Sequence, residues 1–216
     1  MRYAKGGLGP LGTAVIRCSA PVDLGTQVVR CGKCAECWEI YATKWAMRSL
    51  TEIVNGWGRG NRAWTITLTY RSLDDGVTYG HLQGYWKRTR RALQGKDATL
   101  RYMAVAERGT RFKRPHWHAV IVESGYTRRA LERGWYNGFS RCRMIRAPVM
   151  AEDPQDGEAR ARRAAWYPSK YLTKDAGALV IGKRRVRASR GWGQEEDRID
   201  TEYQQVRWVS HGWRTI

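Results

Sequence analysis

Apolar positions along the chain change period several times, and each change marks an element. Trp38, Tyr41, Trp45 and Ile53 fall at helical spacing, which predicts a helix ending at Gly56. Residues 62–70, RAWTITLTY, alternate Trp64, Ile66, Leu68 and Tyr70 with polar or small residues and predict a strand. After the turn SLDDGVTYG, the stretch YGHLQGYWKRTRRALQG reads as a second helix. Leu82, Tyr85, Trp86, Thr89 and Leu93 make one face, and Lys87, Arg88, Arg90 and Arg91 crowd the other. Residues 99–109 and 116–123 read as two strands joined by a short basic turn. TRRALERGW follows as a short helix, GFSRCRMIRAPVM as a strand and EDPQDGE as an acidic loop. ARARRAAWYPSKYLTKDAG is helical with a proline inside, and ALVIGKRRVRASRGWGQ reads as a basic hairpin. Residues 1–17, rich in glycine, are expected to form a loosely ordered arm. The order helix, strand, helix, strand pair, helix, strand, helix is not a regular βαβα alternation. It predicts an α+β fold, a central antiparallel β-sheet with helices packed on it. A length of 216 residues makes one domain, residues 1–216, the expectation.

Composition changes that picture in one respect. The chain carries 39 Lys and Arg against 20 Asp and Glu, a net charge of +19. Such an excess repels itself unless a polyanion takes it up, and the usual polyanion is nucleic acid. Eleven Trp and eleven Tyr stand against two Phe. Most serve a core, but aromatics mixed with arginine also stack on unpaired bases. No stretch is apolar enough for a signal peptide or a membrane span, so a cytosolic protein with no membrane partner is expected. Disulfides are rare there, and Cys18, Cys31, Cys34, Cys37 and Cys142 need another explanation.

Chemistry concentrates in RPHWHAVIVES, residues 114–124. The chain has four histidines, and two of them are His116 and His118. Residues two apart on a strand point to one face, so these imidazoles project together while Trp117 and Ala119 face the opposite layer. They meet one divalent ion, or they are half-buried polar residues on a solvated face. Glu107 ends the preceding strand nine residues earlier, and antiparallel pairing brings it beside them. Two His and one carboxylate leave coordination positions open, which suits catalysis. Otherwise Glu107 pairs with a nearby arginine.

Further on, WYPSKYLTK holds Tyr167, Lys170, Tyr171 and Lys174, each Tyr followed by Lys at i+3. They are core tyrosines with solvated lysines, or nucleophiles toward phosphorus with cationic help.

Taken together, H-x-H on a strand, an upstream Glu and Y-x-x-K-Y-x-x-K on a later helix resemble the HUH endonucleases. The order CGKC-x-x-C, then Trp45, Arg48 and Glu52 as W-x-x-R-x-x-x-E, then TLTY, ERG, PHWH and the Tyr/Lys motif is closer still. It resembles the rolling-circle replication initiators of microviruses, small single-stranded DNA phages, and of some plasmids. The resemblance covers residues 18–192.

It implies a Rep-like fold with the Tyr helix near the His pair. It implies Mg²⁺ or Mn²⁺ on Glu107, His116 and His118, and tyrosine attack on single-stranded DNA at a replication origin. The products would be a 5′-phosphotyrosyl protein and a free 3′-OH for the host polymerase. A second transfer would reseal the strand. No G-x-x-x-x-G-K-[ST] loop occurs, so no helicase domain is expected and a host helicase would unwind. The host cell's cytoplasm is then the expected location.

Pro168 bears on the tyrosines. A residue before proline avoids the helical region, so the helix is expected to start at Pro168, leaving Tyr167 at its cap and Tyr171 as first nucleophile. Lys170 and Lys174 would stabilise phosphate or phenolate.

Within residues 18–56, Cys31, Cys34 and Cys37 follow C-x₂-C-x₂-C, with Cys18 thirteen residues earlier. Four thiolates make a structural Zn²⁺ site; an iron–sulfur cluster or free thiols are the other readings. Cys142, alone on a strand, is expected to pack. A relaxase or transposase of the same superfamily, and a non-catalytic, basic, zinc-stabilised DNA-binding protein, remain as alternative functions.

Overall fold

The computed structural model describes residues 17–72, 78–92, 99–109, 114–148, 154–173 and 185–194, with the backbone of 207–209 and 212–214. The expected arm, Leu93 and Lys174 lie outside them. A small hairpin, β1 (Val22–Asp23) and β2 (Val28–Val29), precedes α1 (Ala35–Gly58). Then come β3 (Arg62–Tyr70), α2 (Tyr79–Arg91), β4 (Leu100–Arg108), β5 (Pro115–Glu123), α3 (Arg128–Arg133), β6 (Gly138–Ile145) and α4 (Pro154–Ser169). A 3₁₀ turn, Lys170–Leu172, continues α4. After it come β7 (Val186–Ala188), β8 (Arg207–Val209) and β9 (Gly212–Arg214). The α+β expectation is met. Five strands form one antiparallel sheet in the order β6-β3-β5-β4-β7, with helices on both faces.

Strand parity divides the core. Trp64, Ile66, Leu68 and Tyr70 of β3 join Trp117, Ala119 and Ile121 of β5 beneath Leu82, Tyr85 and Trp86 of α2. Trp86 stacks on Tyr102 at 4.0 Å between ring centres, and burying such rings stabilises this layer through area removed from water. On the other face, Val105, Val120 and Val122 meet Ala42 and Ile53 of α1, Ala161, Ala164 and Ala165 of α4, and Tyr171 and Leu172. The small residues of α4 let it lie close to the sheet.

Four expectations are revised. Helix α1 does not end at Gly56. That glycine is a packing position, because a Cβ there would stand 2.4 Å from Val122 Cγ1. Most of the expected acidic loop, from Pro154 onward, belongs to the start of α4. Of the stretch expected as a basic hairpin, residues 178–184 lie outside the described residues, and Val186–Ala188 pairs with β4 as an edge of the central sheet. The helix also does not begin at Pro168. It runs through Tyr167 and Pro168 to Ser169, and the packing of its alanines outweighs the local preference. Pro168 removes one N–H donor and the ladder tightens to 3₁₀ just beyond it.

Glu52, within the W-x-x-R-x-x-x-E stretch, is a buried tie. Arg101 donates to both of its oxygens, at 2.5 and 2.9 Å, and the Gly193 N–H donates at 2.9 Å. Trp192 Nε1 donates to Ser49 Oγ at 3.2 Å beside it. Glu52→Ala removes the carboxylate from Arg101, which keeps the Arg190 and Gly191 carbonyls, and from the Gly193 N–H. It is expected to cost about 3 kcal/mol, read as a lower urea midpoint at unchanged slope. Among the described residues no helix is long and apolar enough to cross a membrane.

Candidate active site and cysteine centre

Sheet register lines the chemistry up in rows. Antiparallel partners share a face, so Phe139, Thr69, His116 and Glu107 form one row across β6, β3, β5 and β4. Arg141, Thr67, His118 and Val105 form the next. Strand parity thus puts His116, His118 and Glu107 on one face, as expected, with Trp117 and Ala119 opposite.

Both Glu107 and His118 are buried, and His118 Nε2 lies 2.9 Å from Glu107 Oε2. Thr67 Oγ1 stands 3.4 Å from His118 Nδ1, and Thr69 Oγ1 stands 2.9 Å from His116 Nδ1. Burial, then the neighbouring His118, lowers the His116 pKa and favours its neutral, ligating form. Gly109 gives the His116 ring its room, since a Cβ there would stand 2.8 Å from Nε2.

Adjacent ligands of an octahedral ion with bonds near 2.1 Å stand about 3 Å apart. The Glu107–His118 pair fits that spacing. His116 does not close the set: the three ligand atoms are not all within 4.8 Å of one another, and its ring would have to leave Thr69 to join.

The tyrosines cover the same spot. Tyr171 lies flat on His118, ring centres 3.9 Å apart and planes 8° from parallel. Tyr167 meets His118 edge-on at 5.2 Å, and its hydroxyl stands 3.2 Å from Thr67 Oγ1. Tyr171 is 8% exposed, and burial, then its contact with Tyr167, raises its pKa. Tyr167, on the last helical turn, is only partly buried. Lys170 is exposed with Nζ between the rings, 4.8 Å from the centre of Tyr167 and 4.9 Å from that of Tyr171. Arg185 holds the turn from behind. It donates to the Leu172 and Tyr171 carbonyls at 2.8 and 3.1 Å, and its guanidinium lies 5.3 Å from the Trp38 ring centre.

The sequence points to the His pair, Glu107, both tyrosines and Lys170, and the structure adds Thr67, Thr69 and Arg185 around them. The threonines had a signal: TITLT puts them on the face opposite the apolar residues of β3. Arg185 had none, because nothing local tells where a distant arginine folds back.

Cys18, Cys31, Cys34 and Cys37 form a second centre at the start of α1. Their sulfurs all lie within 4.8 Å of one another, with contacts of 3.7, 3.7 and 4.0 Å. A tetrahedral ion 2.3 Å from each sulfur would set them about 3.8 Å apart. The cluster can therefore hold a metal such as zinc. Lys33 and Cys34 N–H groups donate to Cys31 Sγ and bring its pKa down to about 6, toward the thiolate a metal needs. Burial pushes Cys37 up to about 12. Cys142 is buried in the aromatic layer, in keeping with a packing role. Cys34→Ser is expected to abolish zinc binding and to loosen residues 18–37 while the sheet stays folded. Zinc analysis and hydrogen exchange would check this.

The sheet thus carries two histidines and a carboxylate beneath a pair of tyrosines. The sequence model of the replication-associated protein ORF2 family matches residues 63–176, just over half of the chain, and the chain belongs to that family. It is similar to the replication-associated protein ORF2 of Spiroplasma virus 4, 25% identical over 197 residues. That match covers 76% of this chain and 55% of the viral protein, so the chain spans about half the relative's length. No solved structure matches the chain.

Proposed function

We propose that the protein initiates rolling-circle replication by nicking single-stranded DNA at an origin, as an HUH endonuclease within one domain. The observation that carries this reading is the stacking of Tyr171, with Tyr167 beside it, directly on His118 of the H-x-H strand. Family membership supports a role in replication, and the +19 charge supports a polyanionic substrate.

Glu107, His118 and, after its ring turns, His116 would hold Mg²⁺ or Mn²⁺, ions that suit the Glu107 carboxylate. When bound, the ion polarises the scissile phosphate. The chain's own groups do the rest. Thr67 orients the His118 imidazole through Nδ1. A tyrosine oxygen attacks phosphorus; the bond from phosphorus to the 3′ oxygen breaks, and that oxygen leaves with a proton as the 3′-OH. The phenolic proton is released, so one phosphodiester replaces another and the step reverses without added energy. Lys170 offers its charge to the phosphate or phenolate. Lys174 would do the same for the second tyrosine.

Tyr167 is the better first nucleophile. It is the less buried of the two residues, its hydroxyl stands beside Thr67, and the helix does not start at Pro168, which was the reason to prefer Tyr171. Tyr171 would serve the second transfer once the segment moves. Host helicase and polymerase would act on the opened strand.

The test is denaturing electrophoresis of protein mixed with single-stranded DNA carrying the origin and Mg²⁺ or Mn²⁺. A covalent adduct is expected. No adduct from any strand of the source genome would leave a basic, zinc-stabilised binding protein as the reading.

A further inference from the structure

We infer that single-stranded DNA reaches the tyrosine site along the open side of β6, held by Phe139, Arg141 and Arg143. The inference rests on the proposed nicking function, for which it names the substrate's track. Helix α4 covers the sheet at the Ile145 end, where Ile145 is buried with Ala161 and Ala164. Toward Gly138 the same face is left open by the described residues. Arg141 and Arg143 are exposed, Phe139 is 60% exposed, and Thr65, Thr67 and Thr69 beside them are partly exposed.

Three features favour a nucleic-acid strand there. The first is register. Phe139 ends the row that holds His116 and Glu107, and Arg141 ends the row that holds His118, so the strip opens directly onto the site. The second is spacing. Residues two apart on a strand repeat about every 6.8 Å, close to the step between phosphates in an extended single strand, so two arginines can take successive phosphates. The third is chemistry. A lone exposed aromatic means little, but an exposed ring in line with two arginines has the parts of a stacking platform beside a phosphate track. By contrast, the basic residues of α2 lie over the opposite, aromatic face, and the Arg88 guanidinium sits 4.2 Å from the centre of the Tyr136 ring.

Affinity for fluorescein-labelled oligothymidylate, followed by anisotropy across salt concentrations, tests the track without needing cleavage. Arg141→Ser with Arg143→Ser is expected to weaken binding about tenfold and to reduce the log K against log salt slope by about 1.4, roughly 0.7 for each lost phosphate contact. Phe139→Ala is expected to weaken binding about tenfold with the slope unchanged, and Phe139→Trp to restore it. Lys87→Ser with Arg91→Ser, on the opposite face, should change little. Unaltered binding in the β6 variants, or an equal loss in the α2 pair, overturns the inference. Because binding is read apart from chemistry, absence of a covalent adduct with the β6 losses intact would sink the nicking reading alone.

Discussion

His116→Ala is expected to reduce adduct formation about a hundredfold or more while leaving most of the affinity for single-stranded DNA. The figure follows from the charge stabilisation a metal supplies to a phosphoryl transition state, several kcal/mol at about 1.4 kcal/mol per tenfold. His116 is a sharper probe than His118. Removing His118 would also strip the flat support beneath Tyr171 and leave the buried Glu107 without its partner, so packing and chemistry would fall together. His116 is less buried and its partner is the Thr69 hydroxyl, so its loss leaves the core intact. Anisotropy on the same DNA separates binding from nicking, and EDTA should reproduce the variant's defect. Full adduct yield in EDTA would show that the imidazoles serve the fold and not a metal.

Tyr167→Phe is expected to remove the adduct formed at the first cut. Phenylalanine keeps the ring edge on His118 and gives up the hydroxyl contacts with Thr67 and Tyr171, a loss of about 1 kcal/mol for each in stability. The missing adduct would therefore report on the nucleophile alone. Attack needs the phenolic oxygen in line with the phosphate at about 3 Å. Tyr167 is only partly buried, with its oxygen beside Thr67, whereas Tyr171 is buried and lies flat against His118. Tyr171→Phe should leave the first cut largely intact and slow the joining that closes a circle. Peptide mapping of the adduct decides between them, and DNA found on Tyr171 would restore the order expected from sequence.

Much of this was legible because strands advertise their parity. The alternation in RAWTITLTY and in PHWHAVIV sorts residues onto faces without knowledge of their neighbours, and hairpin pairing then carries Glu107 to His116. What sequence withheld is non-local. That β6 lies beside β3 and not next to β5 depends on a chain reversal after α3, so the row joining Arg141 to His118 could not be read. That β7 closes the other edge depends on pairing across a long separation with β4. The path through Pro168 was misjudged for a related reason. A local rule about one dipeptide was set against the packing of Ala161, Ala164 and Ala165, and packing won.

The cross-sheet rows constrain how relatives of this chain can differ in length. The connection between Gly109 and Arg114 can lengthen or shorten without moving either row, since pairing resumes at Pro115. Inside β5 the tolerance ends. One residue inserted between His116 and Trp117 would leave His116 in place and carry His118 to the aromatic face, away from Glu107 and both tyrosines. Gaps in alignments of this family should therefore gather between β4 and β5 and be missing from the histidine strand itself.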